Sequence, residues 1–478
     1  MTLHDPSGAS SSPGEASSPS PSPLARRDLL KLGAAALGAA ATAPFLAPAD
    51  LKAQRTEEGM QRLPWPGPET LPAAPPMERV RMGFVGVGLQ GGSHVENFLK
   101  IEGVEIAALC DIDVPRMEEV AEWVVADGRR RPRLYGKGVR DFQRMCDELE
   151  LDVVFTATPW EWHVPVCLYA METGSHAATE VPAAYTVDDC WALVEGAEKY
   201  RKHCVMMENC NYDRPEMMVF NMARQGLFGE ILHAECGYLH DLRGIKFQDH
   251  NEGLWRRYHS RMRNGNLYPT HGLGPVANVM DINRGDRFDY LVSMSSPSRG
   301  LQEYAREHFP PGDPRRRERF VLGDVNTSMI RTALGKTIFV SHDTNLPRPY
   351  SRIHMVQGTK GLFQGYPNRI HIEGRSPAHR WEDAEAYMEE FEHPLWKELS
   401  EMSAGAGHGG MDFIEDYRLI KCLREGLPTD MNVYDAAAIS AVCALSEESV
   451  ARGSAPQSFP DFTRGRWREW PQLPVVHA

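Results

Sequence analysis

A short apolar run, Val80-Arg81-Met82-Gly83-Phe84-Val85, ends in Gly86-Val87-Gly88-Leu89-Gln90-Gly91, and residues 93–100 follow with helical spacing. Few folds accept three glycines so placed between a strand and a helix. Gly86 permits the tight turn, Gly88 lets backbone N–H groups approach a diphosphate, and Gly91 lets the helix pack close to the strand. Residues 104–110 read as a second buried strand that ends at Asp111, 20 residues past Gly91. An acid there accepts hydrogen bonds from ribose hydroxyls and repels a 2'-phosphate, so NAD is the expected cofactor rather than NADP. A turn aspartate is the alternative for Asp111.

The alternation of strand and helix continues. Helices are predicted at 114–125, 139–149, 164–173 and 187–200, with strands at 152–157, 177–180 and 205–209. Parallel sheets hold ligands at the carboxyl ends of their strands, which places the loop Thr158-Pro159-Trp160-Glu161-Trp162-His163 beside the nicotinamide half. Trp160 and His163 are the candidates in it, the alternative being a packed core aromatic and a satisfied histidine. Glu180 and Asn209 end strands on the same edge and either contact the cofactor or cap the next helix.

Beyond residue 211 the pattern changes to alternating strands at 231–238, 290–294, 325–334, 337–342, 353–357 and 361–364, an antiparallel-rich set. The expected fold is α/β: an N-terminal Rossmann dinucleotide-binding domain (79–210), then an α/β substrate and oligomerisation domain (211–478) with an open, largely antiparallel sheet. An Ala-rich amphipathic helix at 436–450 is expected to pack back on the first domain. Such a sheet offers a face to a second subunit, so a homo-oligomer is among the expected states.

The formal net charge of −13 is not set by the first 49 residues, where Arg26, Arg27 and Lys31 balance Asp5, Glu15 and Asp28. An acidic body repels phosphate backbones and anionic headgroups, so nucleic acid and membrane surfaces are poor partners and a small molecule or glycan is a better one. Nine cysteines occur without a C-x-x-C pair, and neither a zinc framework nor H-E-x-x-H is present, so no metal is expected. The Ser/Pro-rich residues 1–25 precede Arg26-Arg27-Asp28-Leu29-Leu30-Lys31, a weakly apolar run and Ala47-Pro48-Ala49. This resembles a twin-arginine signal, so residues 1–49 imply the twin-arginine export machinery as a partner and a periplasmic or secreted location. The apolar run is too short for a stable membrane span. Residues 50–78 read as a Pro-rich linker.

The strand ending in Glu180-Val181-Pro182 resembles the Gfo/Idh/MocA oxidoreductase superfamily, whose Glu-x-Pro ordinarily carries a lysine that assists hydride transfer. Valine cannot relay a proton. A closer resemblance, from about Val80 to the carboxyl end, is to glycoside hydrolase family 109, the NAD-dependent α-N-acetylgalactosaminidases. It rests on Thr158–His163, Glu180-Val181-Pro182, Met207-Glu208-Asn209-Cys210, Leu254-Trp255-Arg256-Arg257, Gly265-Asn266-Leu267-Tyr268-Pro269-Thr270-His271-Gly272 and Gly407-His408-Gly409-Gly410-Met411-Asp412-Phe413. The resemblance implies cofactor contacts from Leu89, Gln90, Asp111, Trp160, Glu161, Trp162, His163, Glu180, Val181 and Asn209. It implies sugar contacts from Tyr238, Arg257, Tyr268, Pro269, Thr270, His271 and Tyr350.

The activity implied is hydrolysis of terminal α-N-acetylgalactosaminides with retention, through transient oxidation at C3, elimination across C1–C2, addition of water and re-reduction. His271 is expected to take the C3 hydroxyl proton and Tyr268 to act at C2, with Arg257 favouring its ionisation. The two roles are interchangeable on sequence grounds, and simple stacking by Tyr268 is the alternative. His408 is expected to approach the site from the second domain. An exported sugar dehydrogenase or epimerase and a non-catalytic sugar-binding protein are the competing functions.

Overall fold

The computed structural model describes residues 74–478; the signal at 1–49 and most of the linker at 50–78 lie outside the described residues. Six parallel strands form the first sheet: β1 (Val80–Val85), β2 (Val104–Cys110), β3 (Arg133–Tyr135), β4 (Val153–Thr156), β5 (His176–Thr179) and β6 (Cys204–Met206). Their order is β3-β2-β1-β4-β5-β6, so the connection reverses between β1 and β4 and opens a crevice at the carboxyl ends. The central strands are apolar along their length because helices cover both faces. Those helices are α1 (Leu89–Leu99), α2 (Val114–Ala126), α3 (Asp141–Glu148), α4 (Trp160–Glu172) and α5 (Val187–Tyr200).

Two boundaries differ from the sequence pattern in ways that matter to the crevice. Helix α1 begins at Leu89, inside the glycine turn. A Cβ on Gly91 would stand 2.0 Å from the Gly86 carbonyl oxygen, so the helix starts where only glycine fits. Helix α4 begins at Trp160, so residues 160–163 are its first turn rather than a loop; Pro165 lies inside the helix and gives the Glu161 carbonyl no i+4 donor.

The second part of the chain contributes α6 (Arg214–Arg224), β7 (Ile231–Leu239), α7 (Arg243–Lys246), α8 (Gly253–Met262), α9 (Thr270–Val279), β8 (Phe288–Ser295), α10 (Gly300–His308), β9 (Asn326–Thr332) and β10 (Thr337–Asp343). Then come β11 (Met355–Gly358), β12 (Gly361–Gln364), β13 (Arg369–Ile372), β14 (Glu382–Asp383), α11 (Glu385–Phe391), α12 (Pro394–Ser403), α13 (Met411–Glu425), α14 (Val433–Ala451) and β15 (Gln457–Ser458). The nine strands lie in the order β14-β13-β12-β11-β7-β10-β9-β8-β15 and pair antiparallel except for β7 with β10.

Helix α14 is not amphipathic as expected. Its residues 436–443 are all buried, because it lies between α5 of the first sheet's layer and β8 of the second. Its small side chains let both neighbours approach, and its serines receive their backbone donors. Ser440 Oγ accepts from Ala183 N at 3.1 Å, Ser446 Oγ from Asn266 N at 2.8 Å and Ser449 Oγ from Ser293 N at 2.8 Å. One buried helix thus ties the segment after Glu180-Val181-Pro182 to the segment that carries Tyr268 and His271.

Candidate active site

Along the carboxyl edge of the first sheet, Gly86 adopts φ +82° and Gly88 faces open space, where a Cβ would meet nothing within 4 Å. Asp111 braces this turn: its carboxylate accepts from Val87 N at 2.7 Å and Asp113 N at 2.8 Å. Leu89 and Ile112, each 68% exposed, leave apolar surface beside the same edge. An uncrowded glycine turn at the start of a helix, a carboxylate at the next strand end and bare apolar flanks fit an adenosine diphosphate moiety.

Farther along the edge, Asn209 Nδ2 donates to Asp412 Oδ1 at 2.7 Å, and Gln90 Nε2 to Asp412 Oδ2 at 3.3 Å. Glu180 lies 2.7 Å from His94 Nε2, whose Nδ1 reaches Asp416 at 2.8 Å. Burial pulls the His94 pKa down, but Asp416 and Glu180 outweigh it and hold the ring protonated well above its ordinary range. Glu180 and Asn209 are thus held at their strand ends by His94 of α1 and Asp412 of α13. Val181 is buried.

The first turn of α4 divides its side chains. Trp160 is buried against Trp255, His259 and Tyr268, with ring centroids 4.9, 4.7 and 5.8 Å away. Trp162 packs edge-on against Phe142, and Glu161 is exposed. His163, expected to face the nicotinamide, is instead buried, with Nδ1 2.8 Å from Pro182 O and Nε2 2.8 Å from Thr158 O. Burial keeps the ring neutral, so its one N–H donates to one of these two backbone carbonyls, and the side chain packs between two edge segments.

Across the crevice, Tyr238, Tyr268 and His271 converge: Tyr238 to Tyr268 is 4.6 Å, Tyr268 to His271 4.9 Å and Tyr238 to His271 5.4 Å between centroids. Two glycines make this approach possible. A Cβ on Gly272 would stand 2.4 Å from Gly237 N of β7, and one on Gly274 2.8 Å from Glu208 Cγ. Helix α9 begins at Thr270, so His271 lies in its first turn. Pro269 and Thr270 are buried and shape that entry.

His271 Nδ1 lies 2.7 Å from Oε1 of the fully buried Glu208. Burial pulls the Glu208 carboxyl up, yet the charge and hydrogen bond of His271, with the Thr270 hydroxyl and Cys210 N–H, hold it below its ordinary value. Glu208, Cys210 and His271 bring their donor atoms within 4.8 Å of one another. Burial keeps the Cys210 thiol protonated, and its S–H donates to Asn209 Oδ1 at 3.4 Å. The trio is thus already hydrogen-bonded and reads as a proton-handling group.

Arg257 is the main correction. Its side chain turns away, 3.6 Å from both Asp249 and Glu318 and over Phe247. The preceding Arg256 takes the expected place, its guanidinium 5.1 Å from the Tyr268 ring and 5.6 Å from that of Trp160, because successive residues on α8 point about 100° apart. Burial raises the Tyr268 pKa well above its ordinary value despite Arg256, so the phenol is neutral in the free protein. Tyr350 stands edge-on to Tyr238 at 6.1 Å and accepts from Arg352 Nη1 at 3.1 Å. Sequence reasoning missed Glu208 and Arg256. Glu208 shares the strand end of Asn209, a usable signal; the choice between two adjacent arginines needs the helix phase.

The two sheets and the site between them define an oxidoreductase-type protein with an NAD-binding Rossmann domain. Residues 80–208 match the oxidoreductase family NAD-binding Rossmann fold, and residues 212–469 match the C-terminal domain of glycosyl hydrolase 109. The chain belongs to glycosyl hydrolase family 109 and is a glycosidase. It is 48% identical over 412 residues to glycosyl hydrolase family 109 protein 1 of Shewanella sp. (strain MR-4), covering 85% of this chain and 90% of that one. It is equally 48% identical over 411 residues to the alpha-N-acetylgalactosaminidase of Shewanella oneidensis, with the same coverage. Among solved structures, levoglucosan dehydrogenase with NADH and L-sorbose matches at TM-score 0.60 and 19% identity, covering 80% of this chain and all of that one. Scyllo-inositol dehydrogenase from Lactobacillus casei, with NAD(H) and scyllo-inositol, matches at TM-score 0.57 and 12% identity, covering 80% and 99%. At these identities the likeness is one of fold.

Proposed function

We propose that this protein hydrolyses terminal α-N-acetylgalactosaminides with retention, using NAD that is reduced and reoxidised within one turnover. The observation that carries this reading is the Glu208–His271 pair beside Tyr268 and Arg256, facing the strand ends that bear Glu180 and Asn209. The Shewanella oneidensis relative lends the substrate. Glycosidases ordinarily pair two carboxylates about the scissile bond, whereas the polar groups here are tyrosine, histidine and arginine with one buried glutamate.

NAD, when bound, supplies a positively charged acceptor for hydride from sugar carbon 3. His271, donating Nδ1–H to Glu208, presents Nε2 to take the C3 hydroxyl proton as the ketone forms, and returns it when the ketone is reduced. Tyr268 takes the C2 proton, which the ketone acidifies, as the aglycone leaves C1; water adds at C1, the proton it gives up balancing the one the aglycone oxygen takes, and Tyr268 returns its proton to C2. Arg256 opposes the high phenol pKa without overcoming burial, so Tyr268 acts as a base only in the loaded site. Tyr238 and Tyr350 wall the sugar and exclude water. Asp111, Gln90, Glu180 and Asn209 hold the dinucleotide.

The test is an aryl α-N-acetylgalactosaminide in deuterated water without added NAD. Aryl release with deuterium at C2 and no net NADH is expected. Release without exchange overturns the elimination route. Accumulating NADH favours a sugar dehydrogenase, and sugar binding without turnover favours a binding protein. We further propose that Arg26 and Arg27 direct twin-arginine export, which mutation of both to lysine should abolish in a periplasmic fractionation assay.

A further inference from the structure

A row of aromatic rings leads outward from Tyr268 and His271. Tyr238 packs on both; beyond it Tyr350 stands at 6.1 Å, and Tyr366 lies 6.0 Å from Tyr350. His240 flanks the row, 5.8 Å from Tyr238 and 5.1 Å from Tyr350. Exposure rises along it: Tyr268 and Tyr238 are buried, Tyr350 is half-buried and Tyr366 is 40% exposed. Tyr366 takes φ +57° in the turn after β12, and Ile353 and His354, just before β11, take +64° and +44°. Gly365 joins the two segments: its N–H donates to His354 O at 3.0 Å, and a Cβ on it would stand 2.9 Å from Ile353 O. Left-handed backbone at three bulky residues persists where the surroundings over-determine it, as at ligand clamps. The buried Arg352 lies 5.6 Å from the ring centroids of both Tyr350 and Tyr366, with its nitrogens bonded to Glu216, Asp213 and the Tyr350 hydroxyl.

We propose that Tyr366 is a specificity residue, its ring stacking on the second sugar of the substrate, the one to which the terminal N-acetylgalactosamine is joined. This rests on the reading that His271 and Tyr268 act at C3 and C2. C1 is the next carbon along, so the aglycone extends past C1, and Tyr366 is the exposed end of the row. Burial raises the phenol pKa of Tyr350 and of Tyr366, so both rings are neutral. Neutral aromatic faces held in place suit the C–H face of an uncharged pyranose, because they bury apolar area at little cost in side-chain entropy. A methyl aglycone is too short to cross from Tyr238 to Tyr366, which are two ring spacings apart in the row.

The experiment measures kcat and KM of the NAD-loaded holoprotein and two variants on methyl α-N-acetylgalactosaminide and on a disaccharide of α-N-acetylgalactosamine joined to galactose. Tyr366→Asn keeps a residue that tolerates the left-handed backbone and removes the ring. It should lower the ratio of kcat/KM for the disaccharide over the methyl glycoside about tenfold, through KM rather than kcat. Tyr366→Phe keeps the ring and should keep the wild-type ratio. An unchanged ratio in Tyr366→Asn, whether both substrates suffer or neither does, overturns the proposal; with both glycosides hydrolysed it leaves the proposed function standing. If Tyr366→Asn does not fold, the wild-type KM decides: a lower value for the disaccharide than for the methyl glycoside supports the proposal, and an equal or higher one overturns it. A wild type that cleaves neither glycoside overturns both readings.

Discussion

Glu208 Oε1 lies 2.7 Å from His271 Nδ1, and the glutamate has no exposed surface. A buried carboxylate in that position selects one tautomer: Nδ1 carries the proton and Nε2 is left as an acceptor. Glu208→Gln should reverse this, because the amide can donate to Nδ1 and leave the proton on Nε2. The expected loss is about 10²–10³-fold in kcat with KM and NAD content nearly unchanged, and the acid limb of the pH–rate profile should move. A kcat within about threefold of wild type would show that the pair only packs.

Arg256 and Arg257 are neighbours in sequence and opposites in place. Arg256 is buried beside Tyr268 and Trp160, with Glu252 at 3.0 Å, whereas Arg257 reaches Asp249 and Glu318. Arg256→Met should reduce kcat/KM at least about a hundredfold, since it removes the cation that the described residues place beside the phenol. Arg257→Met should alter stability by about 1 kcal/mol or less and leave kcat/KM near wild type. Steady-state kinetics on both variants decide it, and the reverse ranking would refute the assignment.

The first sheet was legible because its signals are local. A glycine turn, an acid at a fixed spacing and alternating apolar runs each lie within about thirty residues. The Tyr268 and His271 segment was legible as a motif, but not its geometry. Glu208 is 63 positions from His271 and meets it only because Gly272 and Gly274 let α9 sink between β7 and the Glu208 turn. The phase of α8, which distinguishes Arg256 from Arg257, is set by burial of Trp255 and His259 against Trp160. His163 looked like a ligand because its position on the strand edge is right, yet its ring is held between the carbonyls of Thr158, just before its own helix, and Pro182, after the next strand. The buried character of α14 was misread, since an Ala-rich helix flanked on two sides has no polar stripe to mark its neighbours.

Gly272→Ala tests the close approach of α9 to β7. A methyl group 2.4 Å from Gly237 N must push helix or strand aside, and the atoms in the way are backbone. Overpacking of this kind costs about 1–3 kcal/mol, and the displacement carries His271 away from Glu208. The variant should lose both thermal stability and kcat. Unchanged values of both would mean that the helix is not seated as described.

Buried histidines set the acid limit of the fold. Burial lowers the pKa values of His176, His342 and His354 to about 3, and those of His203, His259 and His393 to about 4. Two of them work as acceptors: His203 Nε2 takes Ala74 N–H at 3.2 Å, and His176 Nδ1 takes His203 N–H at 2.9 Å, bonds that a protonated nitrogen cannot accept. Unfolded, all six take up protons near the ordinary value of 6.5. Below that pH the unfolded chain therefore binds more protons than the folded one, and stability falls as pH drops. His94 and His408, whose pKa values are raised, act in the other direction and lose their contribution on the alkaline side. His163 and His240 are lowered too, which makes eight such rings among the described residues; Asp213 and Asp416, raised to about 6 by burial, take up protons in the folded state and offset part of the effect. The thermal midpoint should therefore be highest near neutrality and decline from pH 6.5 to pH 4.5. His176→Asn, which keeps an acceptor for His203 N–H but does not titrate, should make that decline shallower. A midpoint flat across this range would mean that the buried rings are protonated in the folded protein.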